Sequence, residues 1–443
     1  MATFFGTLLA FVIVVGVLVF VHEFGHFFMA KLVGIRVEVF SFGYGKRLFG
    51  IKKGETDYRV SLVPMGGYVK LLGEGMFERD RPIEADDMMA KPRWQRLLVM
   101  VMGSVMNIVL AVILVAIING LGVPTPIYLD EKPVIGWIDK DSPAARADLR
   151  IGDEIVRIND RSVKTWSGVE LAVGSRPDKK IRLDILRDGQ AAAVELQTES
   201  VSRYSFGYAG FRAKTLTQVQ GTLPNSPAKK AGLKTGDVIQ AVDGQPVYFY
   251  QFIQIIERSA GKELQFSVAR GSEVLTIPVT PRREGNVGKI GISQIPQSVL
   301  KKYGVLAAIG QSVRENLSNT LLVVQFVKDL FTGEVSTKQV GGPLKIAAFS
   351  YTALRAGWLV MISWIAVFSL QLGILNLVPI PVFDGGQIFV LIIESVFRRD
   401  LSPKARTIWM QIGFVIFVAL IVFVILNDIA NQLPHGWGSL LPF

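Results

Sequence analysis

The chain contains no cysteine and only three histidines among its 443 residues. Without cysteine no disulfide holds any part together, so each folded segment depends on its own core. The scarcity of histidine makes each one informative. His22 and His26 lie four residues apart, and the third, His435, sits near the C-terminus. Lysine and arginine are missing from both ends, with none before Lys31 and none after Asn427, although the formal net charge is +11. Such a charge would suit a nucleic-acid binder, but its placement excludes that reading. Lys31, Arg36, Lys46, Arg47, Lys52, Lys53, Arg93 and Arg96 crowd one connection between apolar runs, and Arg398, Arg399, Lys404 and Arg406 crowd another.

What is abundant is apolar sequence, half of all residues. Four runs reach the length of about 20 residues that spans a bilayer: Phe4 to Val21 (continuing to Ala30), Leu97 to Asn119, Trp358 to Val378 and Ile408 to Leu426. The first has no basic n-region and is too long for an h-region, so it is expected to stay in place as a span. The positive-inside rule puts both termini outside and the two basic connections in the cytoplasm. With four spans, the stretch from about Gly120 to Gly357 is external.

That stretch repeats itself. "SPAARADLRIGDEIVRINDRSV" (Ser142 to Val163) aligns without gaps on "SPAKKAGLKTGDVIQAVDGQPV" (Ser226 to Val247), 84 residues on, about one small domain. Each copy reads as a short helix opening at Ser-Pro, a Gly-Asp turn, an apolar strand and a polar turn. A helical stretch and two β-rich runs joined at Asp188-Gly189 or Arg270-Gly271 follow. The pattern resembles PDZ domains of the bacterial, circularly permuted kind, which accept extended peptide at a sheet edge. The first copy departs from it, with Asp148 for Gly232 and Asp160 for Gly244. The run "FGYAGFRAK" before the second copy is read as that copy's peptide-binding loop. Further on, Val299, Leu306, Ile309 and Val313 share one helical face, which suggests an interfacial or bracing helix.

In the first basic connection, Thr56 to Glu74 reads as a β-hairpin turning at Pro64-Met65-Gly66-Gly67. It is apolar enough to dip into the membrane against protein, where nonhelical backbone is tolerated only if shielded. On the first span, His22-Glu23-Phe24-Gly25-His26 is an H-E-x-x-H sequence. On a helix both imidazoles share a face and can meet one zinc ion, with Glu23 placed as general base toward a water whose pKa zinc lowers to about 7. A helix from Phe4 to Ala30 is about 40 Å long at roughly 1.5 Å per residue, against a hydrocarbon core of about 30 Å. His22 therefore lies submerged in the cytoplasmic half.

A catalytic zinc takes three protein ligands and keeps one position open. Cysteine is absent and His435 lies on the wrong side, so the third ligand is a carboxylate or amide oxygen. Pro379 and Pro381 break the third span just before Asp384-Gly385-Gly386, and broken helices within membranes line sites. Asp384 is the best-placed candidate and Glu394 the second, while an N-cap role for Asp384 is also open.

H-E-F-G-H together with N-x-x-P-x-P-x-x-D-G-G (Asn376 to Gly386) resembles the site-2 protease family of intramembrane zinc metalloproteases. The resemblance covers essentially the whole chain. It implies one zinc held by His22, His26 and Asp384, with Glu23 as catalytic base. It implies a substrate-contacting Asn376 and structural roles for Pro379, Pro381, Gly385 and Gly386. In "GSVMN" it singles out Gly103 and Asn107, where helix packing through Gly103 is an equal reading. It also matches the Thr56 to Glu74 hairpin to the family's membrane-associated one. The hypothesis that follows has the hairpin edge (Tyr58, Val60, Leu62, Gly67 and Tyr68), with Asn376 and Asn107, hold an unwound substrate over the metal. Implied partners are single-span membrane proteins such as anti-sigma factors, remnant signal peptides, an upstream first-site protease and the bilayer itself. The PDZ-like pair then binds substrate tails or bars bulky external domains.

The fold class expected is a polytopic α-helical membrane protein of the bacterial inner membrane. It has four transmembrane helices, a cytoplasmic-side membrane-associated β-hairpin and two tandem external PDZ-like α+β domains. Its segments are spans at 1–33, 95–121, 356–380 and 406–430, cytoplasmic connections at 34–94 (hairpin 56–74) and 381–405, PDZ-like domains at 122–203 and 204–284, an interfacial helical region at 285–355 and a tail at 431–443. The competing readings are a noncatalytic PDZ membrane scaffold and a membrane-anchored zincin cutting at the cytoplasmic surface.

Overall fold

The computed structural model describes residues 2–73, 82–201, 206–333, 335 and 340–432. His435 and Glu74 lie outside these residues. The chain divides into two compact units, one formed by residues 1–121, 302–331 and 340–443, the other by 122–301 and 332–339.

In the first unit, four of the described helices are long and apolar enough to cross a membrane. They are α1 (Ala2–Leu32), α2 (Arg93–Leu121), α5 (Trp358–Leu375) and α7 (Pro403–Gln432). Between them come α3 (Val305–Phe331), α4 (Pro343–Ala356) and α6 (Asp384–Phe397). Val14 and Leu18 of α1 pack with Ala353 of α4 and with Met361 and Ile365 of α5. Nearer the end of α1, Met29 and Ala30 pack with Val99 and Met100 of α2 and Leu391 of α6. Helix α3 begins at Val305, so Val299 is not on it but in a strand, Ser298–Lys301. Its apolar stripe faces outward, with Leu306 86% exposed, while Ser312 is buried and donates to the Val112 carbonyl of α2 at 2.6 Å.

The hairpin differs from the sequence expectation. Strands β1 (Val37–Lys53) and β2 (Thr56–Leu71) reverse at Gly54-Glu55, not at Pro64–Gly67. Both strands bend, and left-handed glycines at Gly43 (φ +90°) and Gly66 (φ +128°) serve the bends. The two strands thus form four lanes, in the order 47–53, 56–61, 37–42 and 67–71. The pairs of the middle two lanes, Val39 with Asp57 through Phe42 with Val60, rise together and so run parallel, whereas the outer pairings are antiparallel. Tyr58 is paired to both Phe40 and Ile51, and Val60 to both Phe42 and Phe49. With both flanks taken, neither can accept a substrate strand. Leu62 lies beyond the doubly paired stretch and is exposed. Gly67 and Tyr68 lie on the outer lane, whose far edge pairs with no other strand among the described residues. The glycines of "SFGYGK" read as loop in sequence, which hid the first strand.

The second unit contains both copies of the repeat. Ser142 and Ser226 cap their short helices by accepting from the N–H three residues on, each at 3.2 Å, with proline at the first helical position. Asp148 takes the left-handed conformation (φ +54°) that Gly232 takes in the second copy (φ +84°), so the departure in sequence leaves the turn intact. The first copy's sheet runs Arg161–Ser162, Glu154–Ile158, Lys180–Arg187, Gln190–Gln197. Phe211–Ala213 pairs with Ile135–Ile138, and Ala209, Phe211 and Ala213 sit in the first copy's core. "FGYAGFRAK" therefore belongs to the first domain, not the second. Correspondingly, the second domain's strand Thr217–Thr222 closes against Ile292–Pro296, beyond 284. In a circularly permuted domain the last strand returns beside the first, which a repeat read from its middle does not reveal.

The Gly-Asp turn has a common anchor in the two copies. Asp153 and Asp237 are 1% exposed, and each accepts from a backbone N–H at 2.8 Å (Arg150, Lys234) and from the Nε and Nη2 of an arginine, Arg187 or Arg270. Burial alone would raise their pKa values. The arginines and the N–H donors outweigh it and hold both carboxyls below the ordinary aspartate range. Their stabilisation is therefore full above the unfolded pKa of about 4 and is lost as pH falls through the lowered folded value. Asp237→Asn is expected to destabilise the second domain by about 3 kcal/mol at neutral pH. The gap from wild type should begin to close below about pH 4 and vanish only below the lowered folded value, as read by pulse proteolysis of the full chain in urea.

Candidate metal centre

Two helices make the site by touching. Gly25 of α1 faces Met102 of α2 so closely that an added Cβ would lie 2.8 Å from the Met102 carbonyl carbon. Gly103 meets the imidazoles in the same way, its added Cβ falling 2.8 Å from His22 Cε1 and against His26 Nε2. Both glycines are required by contact, because any side chain would part the helices or move the rings.

His22 and His26, one turn apart on α1, are buried against this face. Their Nε2 atoms lie 3.2 Å apart. His26 Nδ1 lies 2.8 Å from the Val99 carbonyl, an acceptor only, so that nitrogen carries the proton and Nε2 keeps its lone pair. Asp384 arrives from the far end of the chain. Helix α5 stops at Leu375, and the chain folds back over Leu377 to Phe383 before α6 starts at Asp384. Gly385 N–H donates to the Asn376 carbonyl at 2.7 Å, and a Cβ at Gly385 would lie 2.5 Å from Leu377 carbonyl atoms. Gly386 is pressed on Pro381 in the same manner, and Pro381 rests on Gly413 of α7, while Pro379 is exposed. Asp384 does not cap α6: the N-cap is Phe383, with no side-chain cap bond.

Asp384 Oδ2 lies 3.1 Å from His22 Nε2 and 3.4 Å from His26 Nε2. This oxygen is buried and has no hydrogen-bond donor among the described residues. The three atoms thus form a triangle with edges of 3.1 to 3.4 Å. Bonds of about 2.0–2.1 Å in a tetrahedron require edges of about 3.3 Å. Two imidazole nitrogens and one carboxylate oxygen, with lone pairs converging on one point, fit a zinc ion. They are the one His/Asp/Glu cluster with such spacing among the described residues.

The other candidate carboxylate is elsewhere. Glu394 is fully buried, but it accepts from Leu401 N–H at 2.9 Å and pairs with Arg406 of α7. It fastens the α6–α7 corner. Glu23 lies beside the outer lane of the sheet, where Val69 N–H donates to its Oε2 at 3.0 Å. An added Cβ at Gly67 would fall 3.6 Å from its Cγ. Asn376, partly buried, brings its amide nitrogen within 3.3 Å of His22 Nε2, and the fully buried Asn107 brings its own within 3.3 Å of His22 Nδ1. Sequence reasoning missed Val99, whose backbone carbonyl carries no side-chain signal, and Val69.

Gly103→Val is expected to fold but to lower zinc affinity about 10- to 100-fold, the equivalent of 1–3 kcal/mol of overpacking. Metal content by mass spectrometry, with thermal melting as the folding control, measures it. Retention of full zinc would show that the imidazoles do not depend on this contact.

The chain matches peptidase family M50 over residues 10–420. It is 30% identical to the regulator of sigma-E protease RseP of Escherichia coli, over 97% of this chain and all of that one. It is equally 30% identical to RseP of Salmonella typhimurium, over 96% and 98%. A Vibrio cholerae relative, 29% identical over 95% of this chain and 97% of its own, carries zinc metalloprotease in its name. Among solved structures, the PDZ domain of an SdrC-like protein from Listeria innocua aligns over 19% of this chain and 93% of that one, at 15% identity and a TM-score of 0.18. The chain belongs to peptidase family M50, as a zinc metalloendopeptidase of the site-2 type.

Proposed function

We propose that the enzyme cleaves peptide bonds within the apolar segments of single-span membrane proteins, from a site in the cytoplasmic half of the inner membrane. Anti-sigma factors already trimmed by a first-site protease, and remnant signal peptides, are the substrates this reading favours. The positive-inside distribution supports termini and PDZ-like domains on the periplasmic side. One observation carries the reading: a sheet lane whose far edge pairs with no other strand among the described residues runs directly beside Glu23, and Glu23, His22 and His26 lie on a helix that is apolar along its length.

The physical problem is the substrate's backbone. A transmembrane helix buries its carbonyls in its own hydrogen bonds, and lipid offers no replacement partners once it unwinds. The outer lane, around Gly67 and Val69, offers them by accepting the unwound segment as a further strand. Only Gly67 and Tyr68 of the residues first considered lie there, so the role passes from Tyr58 and Val60 to this lane. Gly67 lets the substrate backbone approach, since a side chain would stand over Glu23. The Asn376 amide is placed to donate to the scissile carbonyl as charge develops on its oxygen. Glu23 takes the proton from the attacking water and returns it to the leaving amine. Zinc held by His22, His26 and Asp384 would supply the Lewis acidity that makes water a nucleophile at neutral pH and polarises the carbonyl.

Cleavage of a single-span reporter by the full chain tests this. Glu23→Gln should bind zinc and lose at least about 100-fold in rate, the contribution of a general base. Equal cleavage would exclude the protease assignment of this site, and cuts mapped outside the reporter's apolar segment would favour a surface zincin. Gly67→Pro removes an N–H on the same side of the lane as that of Val69, toward the open edge, without touching the metal ligands. It should raise KM or lower the rate on the transmembrane reporter by about tenfold, the loss of one or two backbone hydrogen bonds, while sparing a short unstructured peptide. An unchanged rate on the reporter would remove the edge lane from the mechanism.

A further inference from the structure

Each imidazole has a second nitrogen, and that nitrogen decides whether the first is free to bind metal. For His26 the matter is settled by Val99. For His22 the structure leaves a conflict. As a zinc ligand His22 keeps the Nε2 lone pair for the point it shares with Asp384 and His26, so the neutral ring carries its proton on Nδ1. Yet Nδ1 faces the amide nitrogens of Asn107 at 3.3 Å and Asn376 at 3.5 Å, which are donors too. At the same time the Asn107 side-chain oxygen, Oδ1, is buried and accepts from nothing among the described residues. An unmet acceptor and a donor facing a donor, on one side chain, have one remedy. The oxygen and nitrogen of an amide are nearly the same size, and a half-turn exchanges them.

We propose that Asn107 is a positioning residue that presents its carbonyl oxygen to His22 Nδ1–H and so fixes the tautomer and ring plane of that metal ligand. This rests on His22 being a zinc ligand. Helix α2 then serves both imidazoles from one face, with Val99, Gly103 and Asn107 at successive four-residue steps. The Val99 carbonyl holds His26, the Gly103 gap admits both rings, and Asn107 holds His22. The alternative role, a contact to substrate, conflicts with burial: Asn107 is 0% exposed, and its backbone carbonyl is tied to Ser369 of α5 at 2.7 Å. A substrate would have to part α2 from α5 to reach it.

The test is zinc affinity of the full-length protein in micelles, without substrate, by chelator competition, together with the visible spectrum of the cobalt-substituted protein. Asn107→Leu should weaken zinc about 10- to 100-fold, the usual cost of losing an outer partner of a metal-bound histidine, and should alter the cobalt spectrum. Asn107→Asp keeps only acceptors in the same shape and should stay near wild type in both. The proposal is overturned if Asn107→Leu keeps zinc and spectrum while raising KM, which would make Asn107 a substrate contact. It is also overturned if Asn107→Asp loses zinc, because the amide would then act as a donor. Should the leucine variant fail to fold, the aspartate variant decides alone. A wild-type chain that takes up no zinc would instead remove the metal site itself, an outcome distinct from both.

Discussion

The close approach of α1 and α2 at Gly25 and Gly103 is the constraint on which the rest of the centre depends. It presses two imidazoles against a backbone with no side chain between. Only at that distance can the Val99 carbonyl reach His26 and the Asn107 side chain reach His22. In lipid there is no hydrophobic force to bring helices together, so small residues and buried polar contacts must do it. Here the same contacts that join the helices also set the rings.

The third member of the triangle comes by a different device. A continuous helix could not turn a carboxylate toward α1 and also place Asn376 beside it. The break after Leu375 does both, and the freed backbone is satisfied within the loop, through Gly385 N–H to the Asn376 carbonyl and Gly386 N–H to that of Phe383. Gly385 and Gly386 are small because the loop lies on them. Helix α7 holds this corner from outside, through Arg406 on Glu394 and Gly413 under Pro381. Glu394 illustrates how a fully buried carboxylate can be wholly structural.

The sheet brings a third kind of element to the same place. Its lanes are joined by reversals at left-handed glycines, and the order of lanes, not the position of any one residue, decides which edge is open. That order puts Val69 N–H on Glu23. In the second unit a comparable economy appears twice, where one buried aspartate fastens a turn to a strand through a paired arginine.

Sequence alone determined the chemistry of the site and the materials of the fold. H-E-x-x-H at a four-residue step places two imidazoles on one face by helical geometry, whatever surrounds them. The lack of cysteine and the distant third histidine pointed to a carboxylate, and the two prolines pointed to where the chain breaks. The four spans and the paired repeat were legible because apolar length and self-similarity are local signals. Tertiary structure decided what depends on neighbours. It chose Asp384 over Glu394 by giving Arg406 to the latter. It moved "FGYAGFRAK" into the first domain, because strand pairing joins residues some 75 positions apart that a linear reading does not connect. It took Tyr58 and Val60 out of reach and left Gly67 and Tyr68 at the edge, since lane order is set by how a bent strand folds on itself. Contacts made by backbone atoms, such as those of Val99 and Val69, have no side chain to announce them, and only the packed helices and sheet bring them to His26 and Glu23.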